Sequence, residues 1–102
     1  MKTKINGKTY NTETAKLLGS YRVGSSFDSI SYLSEDLYIT RKKEFFIYYR
    51  GGMLSIYAKY NNDGFPRDGF GFKVLTPDEA FDWLKKHNRK DAIENYFSEK
   101  IK

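Results

Sequence analysis

The chain contains no cysteine, one histidine, one tryptophan and two prolines in 102 residues. Without cysteine there is no disulfide framework, no thiolate metal site and no cysteine nucleophile, and the chain suits a reducing compartment. A single histidine rules against a histidine-rich metal centre. No apolar run approaches the roughly 20 residues of a membrane-spanning helix. The start, MKTKINGKTYNTET, lacks the apolar segment of a signal peptide. A cytoplasmic protein with no membrane partner is therefore expected. The length supports only one core, so a single domain over residues 1–102 is expected as well.

What is abundant is rings and positive charge. Nine tyrosines and eight phenylalanines lift the aromatic share to 18%, and large rings bury much area per residue, so the core should be built of them. The net charge is +5. Residues 1–50 hold nine Lys/Arg against five Asp/Glu, whereas residues 76–102 hold six of each. Such a field favours encounter with nucleic acid or an acidic protein surface. Lys, Asn, Ile, Tyr and Phe, the residues with A/T-rich codons, are frequent, as in an AT-rich bacterial, phage or plasmid gene.

The segment LYITRKKEFFIYYRGG, Leu37–Gly52, predicts the central hairpin: two ring-rich and β-branched runs around a charged link, ending at Gly51-Gly52. Phe45–Tyr49 is apolar on both faces, which marks a strand covered on both sides and hence central. Upstream, Asn6-Gly7 predicts a tight hairpin. Thr14–Val23 alternates Ala15, Leu17, Gly19, Tyr21, Val23 against Thr14, Lys16, Leu18, Ser20, Arg22, which predicts a half-buried strand with the first set inward. A helix over Thr12–Leu18 is the competing reading.

Gly24–Ser29 predicts a loop with Phe27 returned to the core, and a strand should follow from Ser31 or Tyr32. A bulge or bend is expected at Ser34-Glu35-Asp36. Met53–Tyr60 fits a helical turn or an extended edge, Asn61–Gly69 a long loop, and Phe70–Leu75 a last strand. Thr76-Pro77-Asp78-Glu79 is a capping box with proline at the first helical position. It predicts a helix from Pro77 burying Ala80, Phe81, Trp83 and Leu84 and closing at Lys85–Asn88. A second helix over Arg89–Lys100 would bury Ile93, Tyr96, Phe97 and Ile101. The whole predicts an α+β domain, an antiparallel sheet of about four or five strands backed by two C-terminal helices.

Catalytic chemistry has little to stand on. His87 falls in the last turn of the first helix, where the dipole favours its protonated form, with no triad or metal pattern around it. Asp78, Glu79 and Asp82 are explained by helix capping. Gly69-Phe70-Gly71 leads into a strand, not a helix, and so lacks the setting of a phosphate loop. No enzyme, no cofactor and no metal is expected. Cations interleaved with rings remain: Arg41, Lys42, Lys43 and Arg50, with Tyr38, Tyr48 and Tyr49, predict a sheet platform for a partner that stacks bases and neutralises phosphates, and Arg67 is a candidate on the adjoining loop. The alternative is rim tyrosines and solubilising edge charges.

Three stretches in order, INGKTYNTETAKLLGSY, SEDLYITRKKEFFIYYRGG and LTPDEAFDWLKKH, resemble a family of small mobile-element proteins of low-GC Gram-positive bacteria. Members show a K-x-Y-(D/N)-T-E-T-A start, an L-Y-x-(T/K)-x-x-G-x-(F/Y)-F-L segment leading to G-G, and an L-T-x-x-E-A-x-x-W helix. This chain departs at Glu44, where the link usually carries Gly, and at Tyr48-Tyr49-Arg50, where the text is usually more acidic. The domain looks like some anti-CRISPR proteins directed at type II RNA-guided nucleases. The resemblance implies a non-catalytic inhibitor that binds a host-defence nuclease or its guide-RNA complex, and it assigns no contact residue. The basic and aromatic residues themselves point to contact through Arg41, Lys42, Lys43, Tyr48, Arg50, Arg67 and the Gly64–Gly69 loop. A basic nucleic-acid-binding accessory protein is the alternative, and a small hydrolase a third.

Overall fold

A computed structural model of the chain describes residues 1–24, 32–53, 55–60, 62–64, 66–67 and 69–98. The reason for its shape is the doubly apolar strand. β4 (Leu33–Ile39) and β5 (Phe45–Gly51) pair antiparallel in unbroken register from Leu33↔Gly51 to Ile39↔Phe45. They are flanked by β3 (Lys16–Val23) and β8 (Gly69–Leu75), giving the order β3-β4-β5-β8. Because side chains alternate across a strand, Phe45 and Ile47 of β5 leave one face and Phe46 the other, and all three are buried.

The first face carries the main core. Leu37, Ile39, Phe45, Ile47 and Leu75 pack under α1 (Pro77–Lys86) and α2 (Lys90–Tyr96), which contribute Ala80, Trp83, Leu84, Ala92 and Ile93, with Phe97 closing the end. Each fully buried large side chain here is worth about 1.5–3 kcal/mol. α1 starts where the capping box says: Thr76 Oγ1 accepts from the Glu79 amide at 3.1 Å, and the Thr76 amide donates to Glu79 Oε1 at 2.9 Å. The chain leaves it through Asn88, whose φ of 57° is the left-handed stop. α2 ends at Tyr96, shorter than the periodicity predicts, and Ile101 lies outside the described residues.

The N-terminal hairpin forms as expected. β1 (Lys2–Ile5) and β2 (Lys8–Asn11) are joined by Asn6 and Gly7 at φ 51° and 81°, the pair of positive values a tight turn needs. It lies against the second face of the sheet, where Tyr10, 3% exposed, meets Phe46 edge-on at 5.4 Å. The link before β8 is a small ribbon, β6 (Lys59–Tyr60) against β7 (Pro66–Arg67), reached through turns at Gly52–Ala58, so the loop foreseen at Asn61–Gly69 is partly paired.

Two expectations fail for physical reasons. β3 begins at Lys16, because Thr14 and Ala15 turn back to the Asn11 carbonyl. Its register shifts between Leu17 and Gly19, and the extra residue, Leu18, faces the helices while Leu17 is 50% exposed on the other face. A bulge inverts alternation beyond it, so a single period-2 pattern cannot assign the inward face. Conversely, β4 has no bend at Ser34–Asp36. Both acids are accommodated in regular strand, since Glu35 finds donors on the helix side and Asp36 pairs with Arg22 at 3.3 Å on the other. Phe27, expected in the core, lies outside the described residues. Among the described residues no helix is long and apolar enough to cross a membrane.

Candidate functional site

No helix among the described residues lies over the second face of the sheet. Alternation and register place Leu17, Ser20 and Arg22 of β3 there, with Ser34, Asp36 and Tyr38 of β4, Phe46, Tyr48 and Arg50 of β5, and Phe70, Phe72 and Val74 of β8. The rings interlock. Tyr38 stacks on Phe46 at 5.1 Å, Phe46 meets Phe72 at 5.7 Å, and Phe72 meets Tyr48 at 5.2 Å. Phe46 is fully covered by its neighbours, Tyr48 and Phe72 are half-buried, and Phe70 is 52% exposed. The outcome is a rigid, partly open row of rings across three strands.

The charge on this face leans positive. Asp36 is its carboxylate among the described residues and bonds Arg22, while Arg50 is exposed beside Phe70 in the register. The Lys59 ammonium sits 5.5 Å over the Phe70 ring. Burial, then the neighbouring Asp36, raises the Tyr38 phenol above its ordinary value.

Of the residues anticipated from sequence, Tyr48, Arg50 and Tyr38 meet on this face. Arg67 lies in β7, at the Arg50 end of the sheet. Arg41, Lys42 and Lys43 do not join them: they form the β4–β5 turn, seven positions before Arg50 at its Lys43 end and thus roughly 20 Å away along β5. Lys43 instead turns its ammonium to 5.7 Å from the Tyr96 ring on the helix side. Tyr49 points to the helix face as well and stacks on Tyr57 at 4.2 Å. Phe65 and Asp68 of the Gly64–Gly69 loop lie outside the described residues. Phe70, Phe72, Arg22 and Lys59 were missed, although the Phe70, Phe72, Val74 alternation was the signal that could have found the first two.

The turn end is fastened to the N-terminal hairpin. Glu44 accepts from Lys8 at 3.0 Å and from the Tyr10 hydroxyl at 3.0 Å. Those hydrogen bonds, Lys8 first, hold its carboxyl below the usual range.

On the helix face, Glu35 was also unforeseen as an anchor. One carboxylate oxygen accepts from Trp83 Nε1 at 2.9 Å and the other from the Tyr57 hydroxyl, tying β4, α1 and the turn after β5 together. Burial, then the hydrogen bond to Glu35, raises the Tyr57 phenol. His87 lies between Tyr21 at 4.2 Å and Trp83 at 4.4 Å. Its pKa is lowered, contrary to the dipole argument, because burial foremost, with Lys86 and Arg89, outweighs the pull of Glu35. Among the described residues no three His, Asp or Glu side chains gather as a metal would need. No protein-family model, curated protein or solved structure matches the chain.

Proposed function

We propose that the chain is a non-enzymatic inhibitor encoded by a mobile element, which binds a host-defence complex, a type II RNA-guided nuclease with its guide, and acts by occupancy. The observation that carries this reading is the helix-free sheet face, where Tyr48, Phe70 and Phe72 stand among Arg22, Arg50 and Lys59. A preformed ring-and-cation surface suits an acidic or nucleic-acid-bearing partner and loses little entropy on docking. The three ordered motifs support the choice of partner, since a guide-bound nuclease presents both protein and exposed backbone to such a face.

The test is a plasmid-interference assay with a matching guide. Restored transformation when the chain is co-expressed is the expected result, and unchanged interference refutes the inhibitor. A second reading, a nucleic-acid-binding accessory protein, is favoured by the positive balance of residues 1–50. The interference assay separates the two, because an accessory protein that only holds nucleic acid leaves interference unchanged.

A further inference from the structure

Resting on that reading, we infer that the helix-free face holds a single-stranded stretch of RNA, with bases stacked on Tyr48, Phe70 and Phe72 and phosphates drawn by Arg50 and Lys59. Any base offers a π-face, so stacking needs rings that are accessible yet fixed. Tyr48 and Phe72 meet that condition: each is half-buried, and the covered Phe46 packs against Phe72 from the side. Phe70, 52% exposed with a lysine ammonium already 5.5 Å over its ring, extends the row to the sheet edge.

Charge points the same way. Arg22, Arg50 and Lys59 stand around the rings, and among the described residues Asp36, bonded to Arg22 at 3.3 Å, is the carboxylate on this face. The hairpin sets one limit of the site, because Tyr10 sits on Phe46 and closes that end of the face. The open part, from Tyr48–Phe72 to Arg50–Phe70, has room for about two or three bases, as on other ring-bearing sheets. A duplex fits poorly. Its bases are stacked inside, and this face is a sheet surface without a helix to enter a groove.

The experiment is fluorescence anisotropy at low salt with a labelled RNA single strand of about 12 nucleotides, its DNA counterpart and the corresponding RNA duplex. Single-stranded RNA is expected to bind more tightly than the duplex and at least as tightly as DNA. Phe70→Ala and Tyr48→Ala should each weaken binding about tenfold, and Arg50→Glu should weaken it while flattening the salt dependence. Ile56→Ala, 81% exposed in the turn after β5, is the unaffected control.

Circular dichroism checks folding, and Phe70→Ala, altering the most exposed ring of the three, carries the test if Tyr48→Ala does not fold. No binding by the folded wild type, equal affinity for duplex, tighter DNA binding, or wild-type affinity in folded Phe70→Ala each overturns the inference. Inhibition of interference without RNA binding refutes this site and leaves the inhibitor standing; RNA binding without inhibition does the reverse.

Discussion

Removing the Glu35 carboxylate tests whether one polar network pins the helices and the post-β5 turn to the sheet. Glu35→Ala leaves two donors without their acceptor, Trp83 Nε1 and the Tyr57 hydroxyl. An unpaired buried donor costs about 1–3 kcal/mol. Trp83 is 9% exposed while Tyr57 is only half-buried, so water recovers part of the second bond. The expected loss is therefore about 2–3 kcal/mol, a large share of the 5–15 kcal/mol or so typical of a domain. Glu35→Gln keeps one acceptor for Trp83 and turns an amide donor toward Tyr57, so it should cost about 1 kcal/mol. Urea denaturation read by the fluorescence of Trp83, the one tryptophan in the chain, reports directly from the site. With an m-value of about 1–2 kcal/mol/M, the alanine variant should lower the midpoint by more than about 1 M. A midpoint shift equivalent to under about 0.5 kcal/mol, or equal losses for alanine and glutamine, refutes the anchoring argument.

Gly69→Ala should destabilise strongly, because the Tyr57 carbonyl oxygen occupies the space a Cβ would take and backbone must move; a thermal midpoint within a degree or so of wild type would contradict that packing. Glu44 has a folded-state pKa below its unfolded value, so its contribution is in place above about pH 4 and is lost as pH falls through the lowered value. The protection factors of the Lys2–Asn11 hairpin amides, each observed exchange rate compared with its intrinsic rate at the same pH, should fall as pH drops below about 4, and Glu44→Gln should abolish the change by keeping protection low throughout. For His87, a base with a lowered folded pKa, stability is complete above the ordinary histidine range and declines as pH falls through it toward the folded value. An NMR titration of its ring with a midpoint at or above about 6.5 would contradict the burial argument.

The parts of the fold that the text of the chain discloses are those where local chemistry and tertiary need agree. Thr76-Pro77-Asp78-Glu79 caps α1 by its own side chains, and Asn6-Gly7 turns by its own backbone freedom, so neither depends on distant partners. Phe45–Ile47 are apolar at every position, which only an interior strand tolerates, and the sheet order follows from that. Where the fold depends on a partner distant in sequence, local pattern misleads. The Leu18 bulge reverses β3, and nothing within ten residues encodes the helix surface that Leu18 meets. Glu35 and Asp36 read as an interruption because their partners, Trp83, Tyr57 and Arg22, lie 48, 22 and 14 positions away.

The same distinction explains the candidate surface. Tyr48 and Arg50 were legible because they share a strand and a parity, and parity is local. Arg41–Lys43 look contiguous with them in sequence, yet a turn at one end of a strand and a side chain near its other end occupy opposite margins of the sheet. Phe70 and Phe72 come beside Tyr48 and Arg50 only through the β5–β8 pairing, which places Tyr48 against Phe72 and Arg50 against Phe70. A surface assembled by strand pairing belongs to register rather than to any one motif. Substitutions that slip β8 by one residue should therefore abolish ring-dependent binding while keeping every ring in the chain, since a one-residue slip sends Phe70 and Phe72 to the helix side.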